Sequence, residues 1–141
     1  MLIRRPITEV FEAFVEPQIT TQFWFSRSDG RLEQGADTRW YWDKFGVSAP
    51  VRVLELEANN RILIEWGEGQ GQNVVEWIFE ERQDGTTLVK IVNHGFKGSD
   101  DEIVTQAIDA KGGFTLVLAN AKAFLEHNLQ LNLINDHFPD V

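Results

Sequence analysis

Between Val10 and Trp24 apolar residues recur at helical spacing, from Trp40 to Ile91 they alternate with polar ones, and from Ile103 to Leu125 helical spacing returns. The first stretch predicts a pair of short helices. Thr8 is placed to cap the first, with Glu9 near its positive end, and Val10, Phe11 and Phe14 form its apolar stripe. Pro17 ends that helix and suits the first position of the next, whose buried side is Ile19, Phe23 and Trp24. Helices this short need a partner to pack on. Ahead of them, Ile3 to Arg5 reads as a stub of strand stopped by Pro6.

The middle of the chain predicts short antiparallel strands at 39–43, 49–57, 61–66, 74–81 and 87–93. Turn signals separate them: Phe45-Gly46, Asn59-Asn60, the glycine-rich run 67–71 and Asp84-Gly85. Side chains alternate across a strand, so parity assigns faces. Trp40 and Trp42 share one face, as do Val51 and Val53. Ile62, Ile64 and Trp66 share another, as do Val75, Trp77 and Phe79, and Val89, Ile91 and Asn93. A sheet that is apolar on one side must bury that side on something.

The last stretch supplies the cover. Ser99 and Glu102 form a capping-box pair, which starts a helix at Asp100. Ile103, Val104, Ala107 and Ile108 continue it, Gly112-Gly113 predicts a break or kink, and Phe114, Val117, Leu118, Ala121 and Leu125 resume the stripe. Helix signals fade at His127-Asn128. Leu129, Leu131 and Leu133 then alternate, which predicts an extended tail along the body or across a partner. The expected class is α+β: one domain over residues 1–128 with a C-terminal extension over 129–141. It has a curved antiparallel sheet wrapped around a long terminal helix.

Composition adds one positive hint and several exclusions. Five tryptophans and ten phenylalanines in 141 residues exceed what a core of this size needs. Large rings also line ligand cavities. A straight helix over a concave sheet leaves a gap, which the rings either fill or line. The expected cavity residues are Trp24, Trp40, Trp42, Trp66, Trp77, Phe79, Phe96, Phe114 and Leu118, with Asn93 as a polar group among them and Arg39 or Tyr41 at the mouth. The bland alternatives are that the rings fill the core and that Asn93 only hydrogen-bonds the backbone.

The net charge of −9, with dispersed arginines, argues against nucleic acid as a partner. No cysteine exists, so disulfides and thiolate metal sites are excluded. No apolar run reaches membrane-spanning length, and the N-terminus lacks a secretion signal, so the expected location is cytoplasmic. The three histidines, His94, His127 and His137, are scattered over a strand end, a helix end and the tail. No nucleophile motif or metal-ligand spacing occurs. No catalytic residue, metal or cofactor is expected.

The order of elements resembles the helix-grip fold of the START-like, or SRPBCC, superfamily. Within it, the chain is similar to the family named for the C-terminal domain of the heat-shock protein 90 ATPase activator. Six segments carry the match: 6–11 (Pro-Ile-Thr-Glu-Val-Phe), 19–24, 49–51 leading to Arg61-Ile62, 75–79 (Val-Glu-Trp-Ile-Phe), 93–96 (Asn-His-Gly-Phe) and Gly113 to Leu125. The resemblance implies binding of a small apolar molecule between sheet and helix, since relatives hold lipids, polyketides or hormones there. Some relatives are cyclases or hydrolases, and the named family implies a co-chaperone-like interaction protein. The full co-chaperone carries a separate N-terminal domain for which these residues leave no room, so the match implies its fold more than its ATPase-activating role. A homodimer through residues 129–134 is a further expectation.

Overall fold

A computed structural model describes residues 1–141. Seven strands form one antiparallel sheet: β1 (Leu2–Ile3), β2 (Arg27–Ser28), β3 (Asp37–Trp42), β4 (Val47–Glu57), β5 (Arg61–Trp66), β6 (Asn73–Glu81) and β7 (Thr87–His94). Their spatial order is β1-β7-β6-β5-β4-β3-β2. β3 to β7 are a plain meander, so each strand pairs with its chain neighbour, and the two-residue β1 and β2 close the edges. A bulge at Leu54 leaves it between the Val53–Ile64 and Glu55–Leu63 pairs. Such an extra residue bends its strand and increases the local twist.

Helices α1 (Ile7–Val15) and α2 (Pro17–Thr20) precede the meander, and α3 (Asp100–His127) follows it. Val10, Phe11, Ala13, Phe14 and Val15 of α1 are all buried. The Phe11 and Phe14 rings lie 5.2 and 6.0 Å from Phe79 of β6, fixing α1 against the sheet. Glu16 caps α2 by accepting from Gln18 N–H, with Pro17 at its first turn. Thr20 is buried and donates to the Ala13 carbonyl at 2.6 Å, tying the two helices together. The capping box is formed: Ser99 Oγ accepts from Glu102 N–H at 3.3 Å, and Glu102 Oε2 accepts from Ser99 N–H at 3.3 Å. Gly98, at φ +120°, sits so close to Glu102 that any Cβ would collide with that side chain, so the box needs a glycine there.

The sequence-based expectations need correction at five places. The N-cap position of α1 is Pro6 and has no side-chain cap, with Thr8 already inside the helix. β1 lies at Leu2–Ile3 rather than 3–5, and β2 is an additional strand with no apolar alternation to announce it. Gly112 and Gly113 do not break α3, which runs unbroken through 28 residues. Val104 and Ile108 do not join the buried stripe: they are 56% and 66% exposed. The tail is not extended: after a left-handed turn at Asn128 it forms α4 (Leu133–His137). Asn120 holds it in place, donating to the Phe23 carbonyl at 3.1 Å and accepting from Leu133 N–H at 3.3 Å. Lys44 Nζ donates to the Asn135 and Phe138 carbonyls, at 2.6 and 2.9 Å.

Candidate ligand cavity

The inward rings divide into two groups. Trp40 and Trp77 are each 1% exposed and Phe79 is 3% exposed. Phe25 stacks on Trp40 with centroids 4.7 Å apart and planes 20° from parallel. Trp77 lies against Phe14, Trp24 and Phe114. These are core rings, and Trp40, Trp77 and Phe79 line neither cavity under α3, because α1 and the 20–25 segment pack directly on them. The indole N–H of Trp77 is buried without an acceptor. That orphan costs roughly 1–3 kcal/mol, tolerated inside an aromatic cluster.

The second group faces open space. Trp24, Trp42, Trp66, Phe96 and Phe114 border a cavity of about 400 Å³ between the sheet and the first half of α3. Gln106, Asp109, Ala110 and Gly113 form the helix side, and Ile134 and Phe138 of the tail close one end. A second volume of about 370 Å³ continues past Asn93, Phe96, Ala110 and Phe114, which border both, toward Ile91 and Leu118. Each volume falls in the range of small-molecule sites. The sequence-predicted residues Trp24, Trp42, Trp66, Asn93, Phe96 and Phe114 therefore meet at one cavity, and Leu118 at its continuation.

The gap follows from the strand and helix register. Parity turns Trp42, Trp66 and Asn93 inward near the C-terminal ends of β3, β5 and β7, away from the α1 rings that pack on Trp77 and Phe79. On the helix, residues 106, 110, 113 and 117 recur every three or four positions and face the sheet. Three of these are alanine, glycine or valine, too short to fill the distance. Sequence reading placed Val117 on the stripe but missed its extension through 106, 110 and 113, because it took the more hydrophobic Val104 and Ile108 as the inner face.

The polar residues form one connected set. Trp66 Nε1 donates to Asn73 Oδ1 at 2.7 Å, and Asn93 Nδ2 donates to the same oxygen at 2.7 Å and to the Val74 carbonyl at 2.8 Å. Asn73 was legible in principle, since it shares parity with Val75 and Trp77. Arg39 and Tyr41 are not at the mouth. Period-two alternation turns them to the outer face, where Arg39 binds Ser48 and Glu68 and Tyr41 donates to Asp29 at 3.0 Å. His94, His127 and His137 are exposed and border neither volume. Asp109 is the one titratable side chain on the larger cavity. Shifted carboxylates lie elsewhere: hydrogen bonds from Arg31 hold Glu12 below its ordinary range. Burial pushes Glu126 up, but hydrogen bonds from Lys122 and the Arg4 N–H outweigh it and leave Glu126 lowered.

A family model described as "Activator of Hsp90 ATPase homolog 1-like protein" matches residues 4–126. The chain belongs to this family. Its sheet, short N-terminal helices and long terminal helix are those of the START-like helix-grip architecture. Among solved structures, protein SSP2350 from Staphylococcus saprophyticus is 30% identical, with a TM-score of 0.78 over 93% of this chain and 91% of its own. The Aha1 dimer from Colwellia psychrerythraea is 13% identical, with a TM-score of 0.73 over 90% and 92% of the two chains. DynU16, described as a protein of the dynemicin biosynthetic locus, is 22% identical at a TM-score of 0.77. The match spans 92% of this chain but only 46% of DynU16. The last two likenesses show the fold alone. No curated protein matches the chain. No helix in this family member is long and apolar enough to cross a membrane.

Proposed function

We propose that this protein binds a small apolar molecule between its sheet and the first half of α3. One observation supports this reading above the rest: Trp24, Trp42, Trp66, Phe96 and Phe114 border about 400 Å³ of unfilled space, while the rings behind them pack solidly. The volume is open to solvent on one side, which leaves a small molecule a route in. Enclosing apolar surface supplies binding energy of about 25 cal/mol per Å² removed from water. A cyclase- or hydrolase-type reaction in the same cavity would need an acid–base pair touching the ligand, whereas no acid and base border the same volume: Asp109 lies on the larger one, Lys90 and Lys111 on its continuation. We therefore favour a binding protein over an enzyme, acting in the cytoplasm. The test is native mass spectrometry after incubation with a library of lipids, sterols and aromatic polyketides. Retained mass with a raised melting temperature supports the reading. No retained compound, with a solid interior in an experimental structure, refutes it.

A second reading, an interaction protein, has its own support. Leu129 and Leu131 in the 129–141 extension are exposed, and the solved Colwellia relative is described as a dimer. A homodimer through residues 129–134 would bury these leucines. Sedimentation equilibrium of the wild type and of Leu129→Ser/Leu131→Ser decides it: a dimer lost in the double variant supports that interface. A monomer in both removes it.

A further inference from the structure

The cavity has a chemical polarity that its apolar rings conceal, and it sits at the end where the two volumes join. Both hydrogens of the Asn93 amide are spent, on Asn73 Oδ1 and on the Val74 carbonyl. The Val74 oxygen can only accept, so the amide orientation is fixed and Oδ1 is the atom left over. No donor in the chain reaches that oxygen, and Asn93 borders both volumes. Across the cavity the same arrangement recurs on α3. Gln106 Nε2 donates to the Lys97 carbonyl at 2.8 Å and to the Glu102 carbonyl at 3.2 Å, which leaves its Oε1 without a partner. Asp109, one turn away, is an exposed carboxylate on the rim of the same cavity. Trp66, the nearest ring with a donor, has already given its N–H to Asn73. Trp24 and Trp42 border both this cavity and the groove under the tail, whereas Asn93 does not border that groove.

We infer that this end of the cavity selects ligands carrying an O–H or N–H donor on an apolar body, received by Asn93 Oδ1 on the sheet side, with Gln106 and Asp109 on the facing helix. The inference rests on the binding reading above. A ligand with a hydroxyl satisfies an oxygen that an apolar ligand would strip of water and leave unpaired. A site built on hydrogen bonding rejects the analogue lacking the donor for that reason. An ether or hydrocarbon of the same shape keeps the apolar contacts and loses this one.

The experiment uses three probes of matched shape: 2-naphthol, 2-methoxynaphthalene and naphthalene, titrated calorimetrically into the full chain. Binding of 2-naphthol about fivefold or more tighter than of its methyl ether is expected, the size of one net hydrogen bond. In Asn93→Leu that preference falls to near unity. Should Asn93→Leu not fold, the wild type still answers: the carbonyl carbon of the Asn93 side-chain amide moves downfield with 2-naphthol at saturation, as hydrogen bonding to Oδ1 requires, and stays near its free position with the ether. Equal binding of all three probes, or an unshifted Asn93 amide carbon, overturns the donor assignment while leaving an apolar cavity. Binding of none overturns both the assignment and the binding reading.

Discussion

The two halves of α3 do different work with one continuous helix. From Phe114 onward it reaches the core: Phe114, Val117, Leu118, Asn120 and Ala121 are buried, the first three also bordering the open volumes. From Asp100 to Gly113 not one residue is fully buried, and the helix stands off the sheet as a roof over open space. Both halves form because helical hydrogen bonding needs no contact on every face, and because the capping box and three acidic residues in the first turn stabilise the free end. The contrast teaches that helix continuity and core membership are separate properties. A sequence stripe reports the first more reliably than the second.

The contrast yields graded expectations, checked by thermal or denaturant unfolding. Leu118→Ala, in the packed half, should cost about 2–4 kcal/mol, the usual range for a buried leucine truncated to alanine. Gly112→Ala, in the roof, should raise stability by roughly 0.5–1 kcal/mol, since the residue is helical and its new methyl meets nothing. Ile108→Ala, despite removing a large apolar side chain, should change stability by less than about 0.5 kcal/mol because it is mostly in water already. If Ile108→Ala costs as much as Leu118→Ala, the division between roof and core is wrong.

Acid should act on the packed half and its anchors. Glu12 and Glu126 are both held below their ordinary range by cationic or amide donors. A carboxylate with a lowered folded-state pKa binds protons more weakly than in the unfolded chain. Its stabilisation is therefore complete above the unfolded value of roughly pH 4–5 and fades as pH falls through the folded value. Lys122 donates to Glu126 and to the Leu2 carbonyl, so Lys122→Met should lessen this acid dependence and loosen β1. An unchanged slope of stability against pH below 5 in that variant would remove Glu126 from the explanation.

The strand meander was legible because alternation over strongly apolar residues is hard to mimic. The strand 61–66 was placed to the residue, and the other four of the meander came within two. The capping box was legible for the same reason, since two side chains three positions apart satisfy defined backbone groups. What stayed hidden depended on tertiary context. β2 has two residues and no pattern, and α4 forms only where Asn120 and Lys44 receive it. The cavity's existence was readable from the ring excess, but its exact membership was not. Parity puts Trp40, Trp42, Trp66 and Trp77 on one face equally, and the placement of α1 and the 20–25 segment decides which are covered.

The decisive measurement is a fluorescence titration with the neutral probe N-phenyl-1-naphthylamine, run on the wild type and on Ala110→Phe. Ala110 borders both volumes on the roof side, so a phenyl there fills the space without entering the packed half of the helix. Saturable binding at one site in the wild type, weakened at least about tenfold in a variant that keeps its melting temperature, is the expected result. Equal binding by both proteins, or no binding by either, would contradict a ligand cavity under α3.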